Sequence, residues 1–330
     1  MISVTKLLFG TEYRGDELRY RPGAAEMKHG TGEGRGPVVV WNMTRACNLK
    51  CRHCYMDADK ARAGELTTEE AKRFIDGLAA FRVPALLFSG GEPLMRTDFF
   101  ELADYASARG VRPTLSTNGT LIDEEAARRI KAAGVAYVGV SLDGPEHVND
   151  AFRGKTGAYG AAMRGIQNCV AVGQRVGLRF TINKANVDHL DEIFDFIEEE
   201  NIDRACFYHL VYAGRGQAMA DEDVTPAESR RAMDTIIRRT RDYEARGLEK
   251  EILTVDNHCD GAYLYLTAKK DGDETLAARI WELISMNGGN RSGVAFGEVD
   301  PEGNVHPDQF TQYYTFGNVR ERPFEEIWKD

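Results

Sequence analysis

Three cysteines, Cys47, Cys51 and Cys54, fall within the nine-residue stretch CNLKCRHCY. Thiolates bind iron and zinc, and a closed structural zinc site or a complete iron–sulfur cage takes four protein ligands. Three thiols leave one coordination position for something else, and an open position on a metal centre is where substrate chemistry is done. A zinc knuckle completed by His53 or a distant residue is the other assignment these residues allow. A second polar cluster, Ser89-Gly-Gly-Glu-Pro93, and a third, Thr117-Asn-Gly-Thr120, lie further along the chain.

What positions them is an alternation of short β-branched runs and amphipathic helices. The strand candidates are 37–43 (PVVVWNM), 84–88, 112–116, 136–142 (AYVGVSL), 177–182 (GLRFTI) and 205–212 (ACFYHLVY). Thr67-Thr-Glu-Glu70 predicts a capping box ahead of one helix, and Asp98 and Asp123 are expected to cap two more. Strands separated by helices of 10–15 residues predict βα units and a parallel sheet. Six units are too few to close an eightfold barrel, so an open partial barrel or a doubly wound sheet is expected. The cysteine loop follows the first strand, SGGEP the second, TNGT the third and Asp143-Gly-Pro145 the fourth, while Asn183-Lys184 ends the fifth. All five fall where parallel β/α enzymes build their sites.

The bulk numbers exclude other classes. The 330 residues are 42% hydrophobic and 28% charged, an ordinary globular balance. A formal net charge of −10 argues against nucleic acid or an anionic membrane as partner. No apolar run reaches the roughly 20 residues of a membrane span, and the first 20 residues make no convincing signal peptide. Six cysteines, three of them clustered, do not form a secreted disulfide framework, so a cytoplasmic location with reduced thiols is expected. Three parts are read: an N-terminal extension over 1–36, ending in a flexible Gly30–Gly36 tether; a barrel over 37–224; and, over 225–330, a long polar helix (225–247), an irregular segment from about 252 and a hairpin-like stretch at 300–308.

The C-x3-C-x2-C spacing, followed by SGGEP after the next strand, resembles the radical S-adenosylmethionine (SAM) enzymes across roughly residues 37–212. That resemblance implies an α/β fold, a partial (β/α)6 TIM-like barrel of the radical SAM type with a small irregular α+β C-terminal extension. It implies a [4Fe–4S] cluster on Cys47, Cys51 and Cys54 whose fourth iron is chelated by SAM, and an external electron donor of the ferredoxin or flavodoxin type. Gly90 and Gly91, lacking Cβ atoms, are expected to let the backbone approach the methionine part of SAM, and Glu92 to accept from its ammonium. By resemblance, Ser141 and Asp143 lie near the ribose, and Asn118, Arg153, Arg179 and Asn183 serve the ribose and carboxylate.

The tail, DPEGNVHPD followed by FGNVRERPFEEIW, resembles the SPASM or twitch extension, which carries further iron–sulfur cysteines. Asp308 stands where cysteine is common, so a second [4Fe–4S] cluster is expected only from a tail beyond Asp330. Cys169 and Cys206 read as buried apolar residues, and Cys259, in the looser NHCD segment, as the one open to a site role. The segments ISVTKLLFG, CFYHLVYAGRG and TVDNHCDGAYLYL resemble the branch of the family that serves siroheme-dependent haem biosynthesis. This implies an iron-tetrapyrrole substrate and removal of two acetate side chains to give iron-coproporphyrin III. Arg215 and Arg291 are the expected rim contacts, and His209 and His258 the expected axial ligands. The alternatives are the nitrite-reductase haem branch, which acts on propionates, and a SPASM enzyme modifying a ribosomal peptide. The 36 residues before the first strand are too few for the peptide-recognition domain many of the latter carry. A non-enzymatic cluster carrier would need neither an open iron site nor SGGEP.

Overall fold

The computed structural model describes residues 1–23 and 26–330. Seven parallel strands run in sequence order: β2 (Val38–Asn42), β3 (Leu86–Ser89), β4 (Pro113–Thr117), β5 (Val138–Ser141), β6 (Val176–Ile182), β7 (Arg204–His209) and β8 (Glu251–Val255). The first six are the six expected from the sequence, each within a few residues of its expected bounds. Trp41, Phe88, Leu115, Val140, Phe180 and Phe207 on these strands are all fully buried, and Trp41, Phe88 and Phe207 pack against the helix aromatics Phe74, Phe99 and Phe194.

The sheet is wider than six strands. β8 pairs with β7, and β1 (Ile2–Ser3) adds antiparallel to β8. On the opposite edge β9 (Phe296–Val299) joins β2 in parallel, then β10 (Asn304–His306) and β11 (Gly317–Asn318) follow antiparallel. Both flanking segments therefore extend the barrel sheet, and the sheet edges do not coincide with positions 36 and 224. The expected hairpin at 300–308 is the β9–β10 turn.

Local signals explain the helices. Thr67 and Glu70 form the capping box at the start of helix Thr68–Ala80, and Thr225 with Glu228 forms another ahead of helix Pro226–Ala245. Asp123 accepts from the Ala126 N–H as predicted. Asp98 does not cap its helix; its carboxylate pairs with Arg96 and accepts from the Thr68 hydroxyl. The 30–36 loop is not a free tether. Gly30 donates to the Val294 carbonyl, Gly36 donates to that of Phe81, and the Thr31 hydroxyl closes the loop onto Gly36. Among the described residues, no helix is long and apolar enough to cross a membrane.

Candidate active site

At the C-terminal ends of β2–β8 lies a cleft enclosing about 980 Å³, counting its open mouth. Cys47, Cys51 and Cys54 line one end, together with Gly90, Gly91, Asn118, Ser141, Arg153, Arg179, His209 and Arg215. The expected convergence of the strand-end loops is therefore real, and much of it is devoted to the cysteine loop itself.

Three loops and a helix grip that segment. From SGGEP, the Gly91 N–H donates to the Thr44 carbonyl (2.8 Å) and the Glu92 N–H to that of Ala46 (2.7 Å), fixing the chain as it enters Cys47. A Cβ on Gly90 would come within 2.6 Å of the Thr44 oxygen, and one on Gly91 would overlap the Ala46 carbonyl. The steric demand on this glycine pair thus comes from the cysteine loop's backbone, where the sequence suggested cofactor approach. From TNGT, Asn118 Nδ2 donates to Asn48 Oδ1 (2.8 Å). From the helix Glu146–Arg153, the carbonyls of Phe152 and Arg153 accept from the Arg52 and Lys50 N–H groups. From the turn after β7, Arg215 donates through Nε to the Cys51 carbonyl (2.8 Å) and through Nη1 to Asp57 and the Ala58 carbonyl (2.7 and 3.1 Å), while its own N–H donates to the Cys54 carbonyl (2.9 Å). Gly214, at φ +53°, brings that turn against the carbonyls of Cys54 and Tyr55. Arg215 is a clamp on the cysteine loop, and the guanidinium expected at a substrate rim is largely committed elsewhere.

The thiols sit in a donor-rich setting. The Leu49 N–H faces Cys47 Sγ at 3.5 Å, the Ala58 N–H faces Cys54 Sγ at 3.4 Å, and Arg153 Nη1 faces Cys51 Sγ at 3.5 Å. Each is a donor that a thiolate accepts from, so the residues present suit anionic sulfur ligands. Burial pushes the free Cys47 thiol up to about 11 and raises Cys51 as well, so a metal must displace protons on binding. Among the described residues, no three His, Cys, Asp or Glu side chains converge on one metal ion. His53, the other ligand considered for zinc, is stacked on Phe152 at 4.6 Å with its Nδ1 buried and unpartnered.

Three expected SAM contacts sit behind the cleft wall and do not line it. Glu92 is fully buried, accepting from the Thr117 hydroxyl (2.8 Å), the Asn118 N–H (2.8 Å) and the Leu94 N–H (3.2 Å). Burial pushes its carboxyl up to about 7, against these three donors. Asp143 is fully buried, ion-paired with Arg153 and accepting from the Thr181 N–H. Burial pulls the Arg153 guanidinium down, but Asp143 and Cys51 outweigh it and hold the group above its usual range. Asn183 is a buried turn residue whose Oδ1 accepts from the Ala185 N–H.

The wall formed by β5–β8 is different. Ser141, Arg179, Thr181, Tyr208, His209 and Asp256 line it. Arg179 lies over the Tyr208 ring at 4.6 Å and has no carboxylate partner among the described residues. His209 Nε2 is 3.0 Å from Asp260 Oδ2. Tyr55, Ser89, Tyr208, Asp256, Gln309 and Phe310 are lining residues that sequence reasoning did not single out. Tyr55 and Ser89 lay inside the quoted motifs, and Asp256 follows the unrecognised β8. Gln309 and Phe310 come from the extension, with Phe310 edge-on to Tyr55 at 5.5 Å. His258 and Arg291 are not in the cleft: His258 is exposed at the start of helix Cys259–Lys270, and Arg291 sits in the approach to β9 with a buried Nη2. Cys169 and Cys206 are buried as expected, and the exposed Cys259 does not line the cleft.

This chain belongs to the radical SAM superfamily, whose sequence profile matches residues 41–197. It is 55% identical to the Fe-coproporphyrin III synthase of Methanosarcina barkeri, over 100% of this chain and 84% of the relative. It is 43% identical to the pre-heme d1 synthase of Dinoroseobacter shibae, over 95% of this chain and 77% of that one, and 34% identical to an AdoMet-dependent heme synthase of M. barkeri, over 89% and 82%. In fold it is similar to Streptococcus suis SuiB bound to S-adenosylmethionine, with a TM-score of 0.73 and 19% identity, covering 90% of this chain and 66% of that one. AdoMet-bound anSMEcpe gives a TM-score of 0.66 at 18% identity, covering 88% and 80%. A [4Fe–4S] cluster and SAM follow from superfamily membership, and the partial barrel with its C-terminal extension is the fold of these neighbours.

Proposed function

We propose that this enzyme removes two acetate side chains from 12,18-didecarboxysiroheme, giving iron-coproporphyrin III in haem biosynthesis. The observation that carries the reading is the whole-length 55% identity to an Fe-coproporphyrin III synthase. The cleft supports it, placing a three-thiol site opposite a wall with an unpaired guanidinium. Cys47, Cys51 and Cys54 would hold the [4Fe–4S] cluster, which when bound would supply one-electron reduction to SAM. The chain's own residues do the rest. Gly90, Gly91, Asn118, Arg153 and Arg215 hold the thiol loop in shape. Ser141 is the lining group free to take the ribose, while Arg179, expected from the sequence at SAM, is free to take a carboxylate of the tetrapyrrole, which a guanidinium suits bidentately. Glu92, Asp143 and Asn183 act from behind the wall, setting the TNGT turn, Arg153 and the turn after β6.

An external ferredoxin- or flavodoxin-type donor in a reducing cytoplasm completes the reading. The parts 1–36, 37–224 and 225–330 divide its labour among an edge strand, the reaction site and a closing extension that brings Gln309 and Phe310 to the cleft. No cysteine lies within 260–330, so a second cluster would take its thiols from elsewhere. Iron counting decides this, about four irons per chain for one cluster and about eight for two.

The test is an anaerobic incubation with dithionite, SAM and 12,18-didecarboxysiroheme, read by mass spectrometry. Stepwise loss of two acetate groups is expected. Loss of propionates with both acetates retained would move the chain to the nitrite-reductase haem branch, which the 43% identity to a pre-heme d1 synthase makes the second reading.

A further inference from the structure

Resting on the proposed iron-tetrapyrrole substrate, we infer that His209 is the protein ligand to the substrate's iron, and that Asp260 is the positioning residue that aims it. His209 is the last residue of β7, in register with Ile182 at the end of β6. Its backbone is therefore fixed by the sheet at the rim of the cleft it lines. Asp260, only 2% exposed, sits in the first turn of helix Cys259–Lys270, and its carboxylate meets His209 Nε2 at 3.0 Å. A carboxylate acceptor there requires the N–H on Nε2, so the neutral ring carries its lone pair on Nδ1. Nδ1 has no hydrogen-bond partner among the described residues.

An imidazole whose far N–H is held by a buried carboxylate is the usual second shell of a metal-bound histidine. It fixes the tautomer and ring orientation and raises ligand basicity. The alternatives in the cleft are worse placed. His53, between Cys51 and Cys54, has its ring stacked flat on Phe152. The Tyr55 hydroxyl donates to Asn42 Oδ1 at 2.8 Å, and Tyr208 lies beneath the Arg179 guanidinium. His258 is outside the cleft. Arg179 and His209 stand on adjacent strands of the same wall, so a flat polyanion bound through its iron would bring a carboxylate edge toward Arg179.

The experiment is an anaerobic titration of the cluster-loaded full chain with ferric iron-coproporphyrin III, read by absorption and by the haem EPR spin state. The wild type should show imidazole ligation. His209→Ala should lose that signature and recover it on addition of free imidazole, while metal-free coproporphyrin III binds both proteins alike. Asp260→Asn should keep the ligation but weaken iron-porphyrin binding about tenfold or more. If His209→Ala binds iron-coproporphyrin III with the wild-type spectrum, the ligand assignment is overturned and the proposed reaction stands. If the wild type binds neither porphyrin, both fail.

Discussion

The two walls of the cleft are built on opposite principles. On the cysteine side, nearly every polar group is already bonded to the loop it surrounds: Gly91 and Glu92 through their backbones, Asn118 to Asn48, Arg153 to Cys51 and Asp143, and Arg215 to Cys51, Asp57 and Ala58. On the far side, Arg179 has only an aromatic face beneath it, and His209 offers an unpartnered nitrogen. A buried group with all its partners made is part of a scaffold, whereas polar groups left open at a cleft are available to a ligand. In the proposed function, one wall holds the cofactor and the other recognises the substrate.

The largest break falls on the scaffold's purpose. Cys47→Ser, Cys51→Ser or Cys54→Ser should each abolish cluster assembly and SAM cleavage, read as iron per chain after anaerobic reconstitution and as 5′-deoxyadenosine formed. Full iron uptake in all three would remove the site. Stoichiometric zinc without iron in the wild type would revive the zinc reading.

Next comes Gly91→Ala. Its Cβ would overlap the Ala46 carbonyl, so loop and turn must separate, at a cost of about 1–3 kcal/mol by the general expense of overpacking. Iron retention should fall with stability, measured by denaturant unfolding and by metal analysis. A variant as stable as wild type that has lost only SAM affinity would restore the cofactor-approach explanation for this glycine.

A pH-dependent effect concerns Glu92. Its carboxyl is pushed up to about 7 from an ordinary 4.5, so the folded chain holds a proton the unfolded chain has lost between those values. The contribution is thus favourable at the low end of that window and is lost as pH rises through 7, by about 3 kcal/mol in total. Without cofactors, the wild type should lose more stability between pH 5 and pH 8 than Glu92→Gln. Equal slopes would show that the buried carboxyl does not titrate in this range.

The walls also differ in how far the sequence announced them. The six inner strands were legible because their β-branched runs are long and bounded by capped helices, as at Thr67 and Asp123. β8 escaped notice because EILTV stands at the start of a stretch that reads as irregular, and β1 because two residues carry no period. The cysteines and SGGEP were legible as residue types with fixed spacing. Their neighbours' roles were not, because a sequence names the side chain and not its partner. Arg215 looked available for a substrate, and only the fold shows its guanidinium turned onto the Cys51 carbonyl. Glu92 looked like an ammonium contact, and only the fold shows its oxygens accepting from Thr117, Asn118 and Leu94.

The division between the walls is tested most directly by comparing Arg215→Ala with Arg179→Ala, measuring for each the iron retained per chain and the affinity for iron-coproporphyrin III. Arg215→Ala should lose iron because its clamp on the cysteine loop is gone. Arg179→Ala should keep its iron and lose tenfold or more in affinity, on the order of 1.4 kcal/mol. Iron loss in Arg179→Ala with full retention in Arg215→Ala would contradict it.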